Sequence, residues 1–324
     1  MLDYLDALQW DGKPRLDKWL VDYLGAENTE LNRIIGHLVL VAAVRRARKP
    51  GVKFDQIIVL EGVEGKDKST AIETMAGEEN FSDQTILGLD EKRHMELLKG
   101  KWLYEIADLA GMRRSEVEAV KSFASRKTDR GRPAYGRHVV EQPRRCVLFA
   151  TTNDDSYLKS QTGNRRFWPV KTGRILIEAL RRDRDQLWAE AAQAEATGES
   201  IRLPERLWSK ARVEQDKRLE HDPWLDILEG VKGEIWPSPQ GDGDEERVAS
   251  CDLLLHRLQI LPERQTDVVE KKLAKCMRRL GWEGPDKMRV GPKSQRGYCR
   301  PVAPAAAAGA PLDGGNAKRP PWKR

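Results

Sequence analysis

A lysine followed by two hydroxyls, Lys68-Ser69-Thr70, opens a segment of helical character behind a loop holding Gly62, Gly65, Lys66 and Asp67. Before that loop run Ile57, Ile58, Val59 and Leu60, four apolar β-favouring residues that read as a buried strand. Strand, phosphate-sized loop, Lys-Ser and helix form the layout of a P-loop. Loop N–H groups and the positive end of the helix would surround phosphates. Lys68 would reach the β- and γ-phosphates of ATP, and the Ser69 hydroxyl would ligate Mg²⁺. The pattern GxxxxGK[ST] is met at Gly62, Lys68 and Ser69, but Asp67 stands where its second glycine belongs. That position often needs glycine's backbone freedom, and a carboxylate there repels a triphosphate unless it turns outward or pairs with Lys66.

Three later segments end in residues that suit the same chemistry. The strand within GKWLYEIADLAG, residues 100–111, puts Glu105 and Asp108 at or just past its end, where an acid holds Mg²⁺ or activates water. RRCVLFATTND, residues 144–154, is a strand ending at Asn153, placed to orient a lytic water or to cap the next helix. TGNRRFWPV, residues 162–170, sets Arg165 and Arg166 on a tight turn, which suits a finger reaching a neighbouring subunit's nucleotide. Between the second and third strands, residues 121–145 are dense in Lys and Arg. Lys121, Arg126, Lys127, Arg130, Arg132 and Arg137 are the candidates for gripping DNA phosphates, with Tyr135 available to stack a base.

The elements that must position these groups follow from periodicity. Residues 1–50 read as a helical flank, with Leu16, Trp19, Leu20, Tyr23 and Leu24 at helical spacing and Asn28 or Thr29 capping a second helix. Strands Ile57–Leu60, Trp102–Ile106 and Cys146–Ala150 are separated by helix-bearing connections, which predicts a parallel sheet with helices on both faces. Residues 51–228 form this core with a helical extension, 229–246 a Gly/Pro/acidic linker, 247–300 a small basic module, and 301–324 a disordered tail.

Composition bounds the rest. The chain of 324 residues, 39% hydrophobic and 33% charged, has room for one large domain and a small one; its net charge of +6 favours an acidic partner such as nucleic acid. Cys146, Cys251, Cys276 and Cys299 are far apart, and the five histidines are scattered, so neither a disulfide framework nor a protein-only metal site is expected. The start MLDYLDALQW is not a signal peptide, and the apolar run Leu38 to Val44 falls far short of the ~20 residues of a membrane span, so a cytoplasmic protein is expected.

In this order the segments resemble the virulence-associated protein E family, a phage- and mobile-element-borne relative of superfamily 3 helicases. The resemblance rests on WDGKPRLDKWL, PGVKFDQIIVLEG, WLYEIADLAG, VKSFASRKTDRGRPAYGR, the ATTN strand, TGNRRFWPV and DRDQLWAEA, and covers most of residues 1–230. It implies an α/β fold, a P-loop NTPase core of the AAA+ and superfamily 3 helicase kind. It also implies DNA-dependent ATP hydrolysis, a homo-oligomeric ring (a hexamer), single-stranded DNA as partner, and a separate primase or polymerase for priming. By position, Lys68 and Ser69 take the Walker A duty, Glu105 the Walker B acid, Asn153 the sensor, Arg165 or Arg166 the finger, and Lys121 to Arg137 the DNA-engaging segment. Residues 247–300, ending in KMRVGPKSQRGYCRP, resemble a winged-helix module. The rival expectation is a nucleotide-binding, non-hydrolysing DNA-binding or regulatory protein whose loop Asp67 has disabled.

Overall fold

A computed structural model describes residues 1–132, 138–160, 162–238 and 243–302. Arg137, Tyr135 and the expected tail from residue 303 onward lie outside the described residues. The chain divides into two compact units, Met1–Glu220 and His221–Arg324.

The first unit opens with α1 (Leu2–Ala7), α2 (Trp19–Asp22) and the long α3 (Glu30–Arg48). Of the two expected caps it is Thr29 that begins α3, its side chain accepting from the Asn32 N–H. Then come β1 (Ile57–Glu61), α4 (Lys68–Ala76), β2 (Phe81–Ser82), α5 (Glu91–Leu98), β3 (Leu103–Ile106) and α6 (Arg114–Ser125). A hairpin, β4 (Thr128–Gly131) and β5 (Val140–Pro143), precedes β6 (Val147–Thr152), β7 (Phe167–Lys171), α7 (Ile177–Ala196) and α8 (Trp208–Lys217).

The sheet runs β2-β3-β6-β1-β7, every neighbouring pair parallel. All five residues of β1 are buried, as a strand covered on both faces requires. The two faces feed different cores. Ile58 and Leu60 point with Val147, Phe149, Trp168 and Val170 into the core shared with α1–α4 and α7, so the N-terminal helices are built into this unit. Ile57 and Val59 point with Tyr104, Leu148 and Phe167 into the core closed by Val117, Val120 and Phe123 of α6. Indole N–H groups tie the first core together: Trp102 donates to the Ala43 carbonyl and Trp188 to that of Met75, while the two rings pack 4.0 Å apart. Because β1 is central, both its neighbours deliver their C-terminal ends beside the loop that leaves it: Glu61 pairs with Thr152 on one side and Lys171 on the other.

The second unit contains α9 (Pro223–Leu228), β8 (Glu234–Pro237), β9 (Asp244–Ala249), α10 (Ser250–Asp252) running into a wide π turn at Leu253–Arg257, α11 (Asp267–Arg279), and the long hairpin β10 (Glu283–Val290) and β11 (Lys293–Pro301). Its antiparallel sheet is ordered β10-β11-β9-β8 around Leu225, Leu253, Leu273, Met277, Trp282 and Tyr298. Two expectations are corrected here. The division falls at Glu220/His221, ahead of the boundary expected at 228. The segment expected as a linker, 229–246, instead carries β8 and the start of β9. Its acids serve as local acceptors, Glu246 taking the Gly233 N–H and Glu234 that of Gly291, so acidic composition here does not mean solvated chain.

Candidate functional site

The loop leaving β1 is fixed at its root and open at its tip. A Cβ on Gly62 would lie 2.6 Å from Thr172 Oγ1, so only glycine fits where the chain passes the end of β7. Gly65 takes φ +69, and Asp67, in the place of the motif glycine, takes the same left-handed region at φ 59 and ψ 23. Asp is among the residues that tolerate this conformation, so the backbone demand is met without glycine. Asp67 is exposed and makes no side-chain cap to α4, which leaves the first N–H groups of that helix available to a ligand. Lys66 is likewise exposed.

Lys68 is turned back under the loop. Its ammonium donates to the carbonyls of Gly62 at 2.7 Å and Val63 at 2.8 Å, and burial pulls its pKa down against the opposing pull of Glu105 and Glu64. Ser69 Oγ donates to Glu105 Oε1 at 2.7 Å, and Thr151 Oγ1, at the end of β6, donates to the same oxygen at 2.6 Å. Glu105 is 1% exposed, and its other oxygen, Oε2, is buried with no partner among the described residues. A buried carboxylate oxygen left unpaired is costly, and such an atom marks a place that a ligand, ion or water completes.

Lys68, Ser69 and Thr151 line one cleft of about 590 Å³, bounded by the 64–70 loop and helix start, Asp108, Thr151, Thr152 and Asn153, with Glu105 hydrogen-bonded behind Ser69 and Thr151. Thr70 is half-buried in the same wall. Asp108 sits at φ 49 and accepts from the Gly111 N–H, so its carboxylate shapes the turn after β3 as well as bordering the cleft. Asn153 also borders a second cleft of about 1080 Å³, between Gly62 and Val63, the start of α3, and α8.

The two arginines differ. Arg166 donates to Ser125 Oγ at 2.9 Å and pairs with Asp55 at 3.5 Å, which ties it to its own chain. Arg165 is exposed, and no hydrogen bond or ion pair holds it among the described residues.

In the basic segment, one assignment is corrected. Lys121 is 3% exposed; its ammonium is held by Glu118 at 2.9 Å, Ser160 Oγ at 2.7 Å and the Thr162 carbonyl at 2.8 Å. All three donors are spent inside the fold, so Lys121 cannot grip DNA. Arg126 is half-buried at the end of α6, whereas Lys127, Arg130 and Arg132 are exposed on or beside the β4–β5 hairpin, Arg130 loosely facing Glu141 at 3.9 Å. Arg144, from the same run, is buried: it forks onto Asp129, donates to the Phe123 carbonyl and covers the Phe123 ring at 3.9 Å.

Sequence reasoning missed Thr151, Glu61 and Arg218. Thr151 was legible only as a strand residue, and the other two meet across 157 positions.

With this geometry in view, residues 5–220 match the virulence-associated protein E-like domain. The chain belongs to that family. The match covers the first unit of this virulence-associated protein E-like chain almost end to end. The apo structure of the NrS-1 C-terminal region (305-718) is 10% identical, with 91% of this chain and 77% of that one covered at a TM-score of 0.50. A structure described as SCCmec type IV Cch, active helicase, is 12% identical over 90% of this chain and 70% of that one, at a TM-score of 0.37. At such identity the first likeness speaks for the fold, and the second is too slight to bear on it. No curated protein matches the chain. Among the described residues no helix is long and apolar enough to cross a membrane, and no group of three or more His, Cys, Asp or Glu could hold a metal.

Proposed function

We propose that this virulence-associated protein E-like chain is a DNA-dependent ATPase, a helicase-like replication protein of a phage or mobile element. The observation that carries the reading is Glu105. Its carboxylate is buried and hydrogen-bonded behind Ser69 and Thr151, which line a cleft whose other wall is a lysine and an uncapped helix start, and its second oxygen has no partner among the described residues. Phosphate recognition and water activation need those two walls to face each other.

The donor set suits Mg²⁺: a serine hydroxyl and a carboxylate are hard oxygen ligands, and the unpaired Oε2 has room for one more contact. Bound with the nucleotide, Mg²⁺ would neutralise charge on the β- and γ-phosphates. Ser69 can give its proton to Glu105 while its lone pairs remain free for the ion. Glu105 takes a proton as water attacks the γ-phosphorus and the bond to the β-γ bridging oxygen breaks, releasing ADP and phosphate. Asn153 holds that water, and Lys68 moves from the loop carbonyls to the phosphates. Arg165, exposed on its turn, supplies the finger to a neighbouring subunit in a ring, a hexamer by family resemblance. Single-stranded DNA runs along the exposed hairpin arginines, and the second unit acts as a winged-helix-like DNA module through Lys287, Arg289, Lys293 and Arg296 on its hairpin.

The non-hydrolysing alternative rested on Asp67. An exposed Asp67 whose backbone already takes the required conformation favours hydrolysis instead. The test is ATP turnover with and without single-stranded DNA, for the wild type and Glu105→Gln. DNA-stimulated turnover in the first, and tight ATP binding with turnover down about 10²-fold or more in the second, are expected. Wild-type protein that binds ATP yet releases no phosphate under either condition would favour the alternative.

A further inference from the structure

The carboxylate immediately before the loop is the meeting point of four elements. Glu61, the last residue of β1, is 4% exposed. Its Oε1 accepts from Tyr157 OH and from Arg218 Nε, both at 2.7 Å, and its Oε2 accepts from the second Arg218 nitrogen at 2.7 Å. Its carbonyl accepts from the Thr172 N–H and hydroxyl, beyond β7. Arg218, at the end of α8, also pairs with Glu214 of that helix. Backbone bonds repeat the tie: the Leu158 N–H donates to the Arg218 carbonyl, and the Glu220 N–H to that of Leu158.

Between Thr152 and Tyr157 lies the segment that carries Asn153. The chain to one side of Asn153 is therefore held by the sheet and the chain to the other by Glu61 and Arg218, while Glu61 itself begins the loop that ends in Lys68. A forked guanidinium–carboxylate pair is directional, and two such bonds set an angle as well as a distance. A buried pair of this kind adds little stability over well-packed apolar residues, so what it supplies here is geometry. Both partners also line the second cleft, next to Gly62 and Asn153.

We propose that Glu61 and Arg218 are positioning residues that hold Asn153 and α8 in register with the Gly62–Lys68 loop, so that turnover depends on them more than nucleotide binding does. This rests on the ATPase reading above. Neither side chain needs to touch phosphate, because each acts through the backbone it anchors.

Arg218→Lys keeps the charge and loses the fork; Glu61→Gln keeps the shape and loses the charge; Tyr157→Phe removes one hydrogen bond and leaves the pair. Two measurements are made on the full chain. Amide hydrogen exchange of the ligand-free protein is followed across residues 61–63 and 153–158, and kcat is compared with the dissociation constant of a fluorescent ATP analogue. In Arg218→Lys, exchange in both segments rises together and kcat falls about tenfold or more, with the dissociation constant within about threefold of wild type. Tyr157→Phe shows the same pattern more weakly, which keeps the test open if Glu61→Gln or Arg218→Lys fails to fold. Unchanged exchange and kcat in a folded Arg218→Lys protein overturn the proposal, as does equal loss of binding and turnover. Wild-type protein that binds no ATP analogue would strike the ATPase reading itself, a result distinct from either.

Discussion

Lys68 and Asp67 are neighbours with opposite settings, one buried under the loop and one exposed on it. Lys68→Ala is expected to lower ATP turnover by at least about a hundredfold while the protein stays folded, since the lysine is asked to meet charge on the transferred phosphoryl group. Wild-type turnover in a normally melting variant would show that this loop is not the catalytic one. Stability gives an independent reading. Burial lowers the Lys68 pKa, so the unfolded chain binds the extra proton more readily. The penalty is full below the folded pKa and fades as pH rises from there towards the ordinary lysine value of about 10.4. Lys68→Met should thus melt no lower than wild type at neutral pH, with any gap closing as the solution becomes alkaline. At Asp67 the issue is backbone. Asp67→Gly relieves a left-handed residue but frees the unfolded chain, and the two nearly cancel, leaving stability within about 0.5 kcal/mol and ATP affinity within about threefold. Asp67→Val, β-branched in that region, should cost about 1–2 kcal/mol by denaturant titration. A tenfold gain in affinity for Asp67→Gly would mean that the carboxylate opposes the ligand after all.

At the scale of elements, α6 and the hairpin after it separate packing from surface chemistry. Lys121→Ala removes three hydrogen bonds made by a buried ammonium, while the exposed Glu118 keeps the Ser160 hydroxyl, and a loss of about 1–3 kcal/mol in unfolding free energy is expected. Neutralising Lys127 and Arg130, both exposed, should leave stability within about 0.5 kcal/mol, weaken single-stranded DNA binding and flatten its salt dependence. Equal salt slopes for variant and wild type would remove DNA contact from the hairpin. The contrast also marks what the amino-acid pattern could carry. β1, β3 and β6 were legible because a strand buried on both faces must be a continuous apolar run, and Glu105 followed because it ends one of them. Lys121 was not, because two of its three acceptors arrive from a turn some 40 positions later, and a basic run gives no sign of which member faces inward. The strand β8 hid for a related reason: its four residues gain their order from β9 and from the Gly291 N–H, and their own composition reads as linker. Glu61 and Arg218 belong to the same class of long-range pairing.

For the whole molecule, the proposed site is complete only if one subunit's phosphate loop meets another's finger. Sequence left Arg165 and Arg166 equivalent. The structure ties Arg166 to Ser125 and Asp55 and leaves Arg165 exposed, so the trans role narrows to Arg165. Arg165→Ala should abolish turnover without changing ATP binding by the isolated subunit, whereas Arg166→Ala should lower the melting temperature by loosening the turn against α6. Mixing Arg165→Ala with Lys68→Ala protein then tests the assembly. Each subunit lacks what the other keeps, and in a randomly mixed ring about a quarter of the interfaces pair an intact Lys68 with an intact Arg165 from the neighbour. Turnover near that fraction of wild type, from two proteins that are each inactive alone, is the expected result, and it should rise and fall with oligomer formation measured by light scattering. Mixed oligomers that form yet show no recovery would place Arg165 within its own subunit's site or outside catalysis altogether.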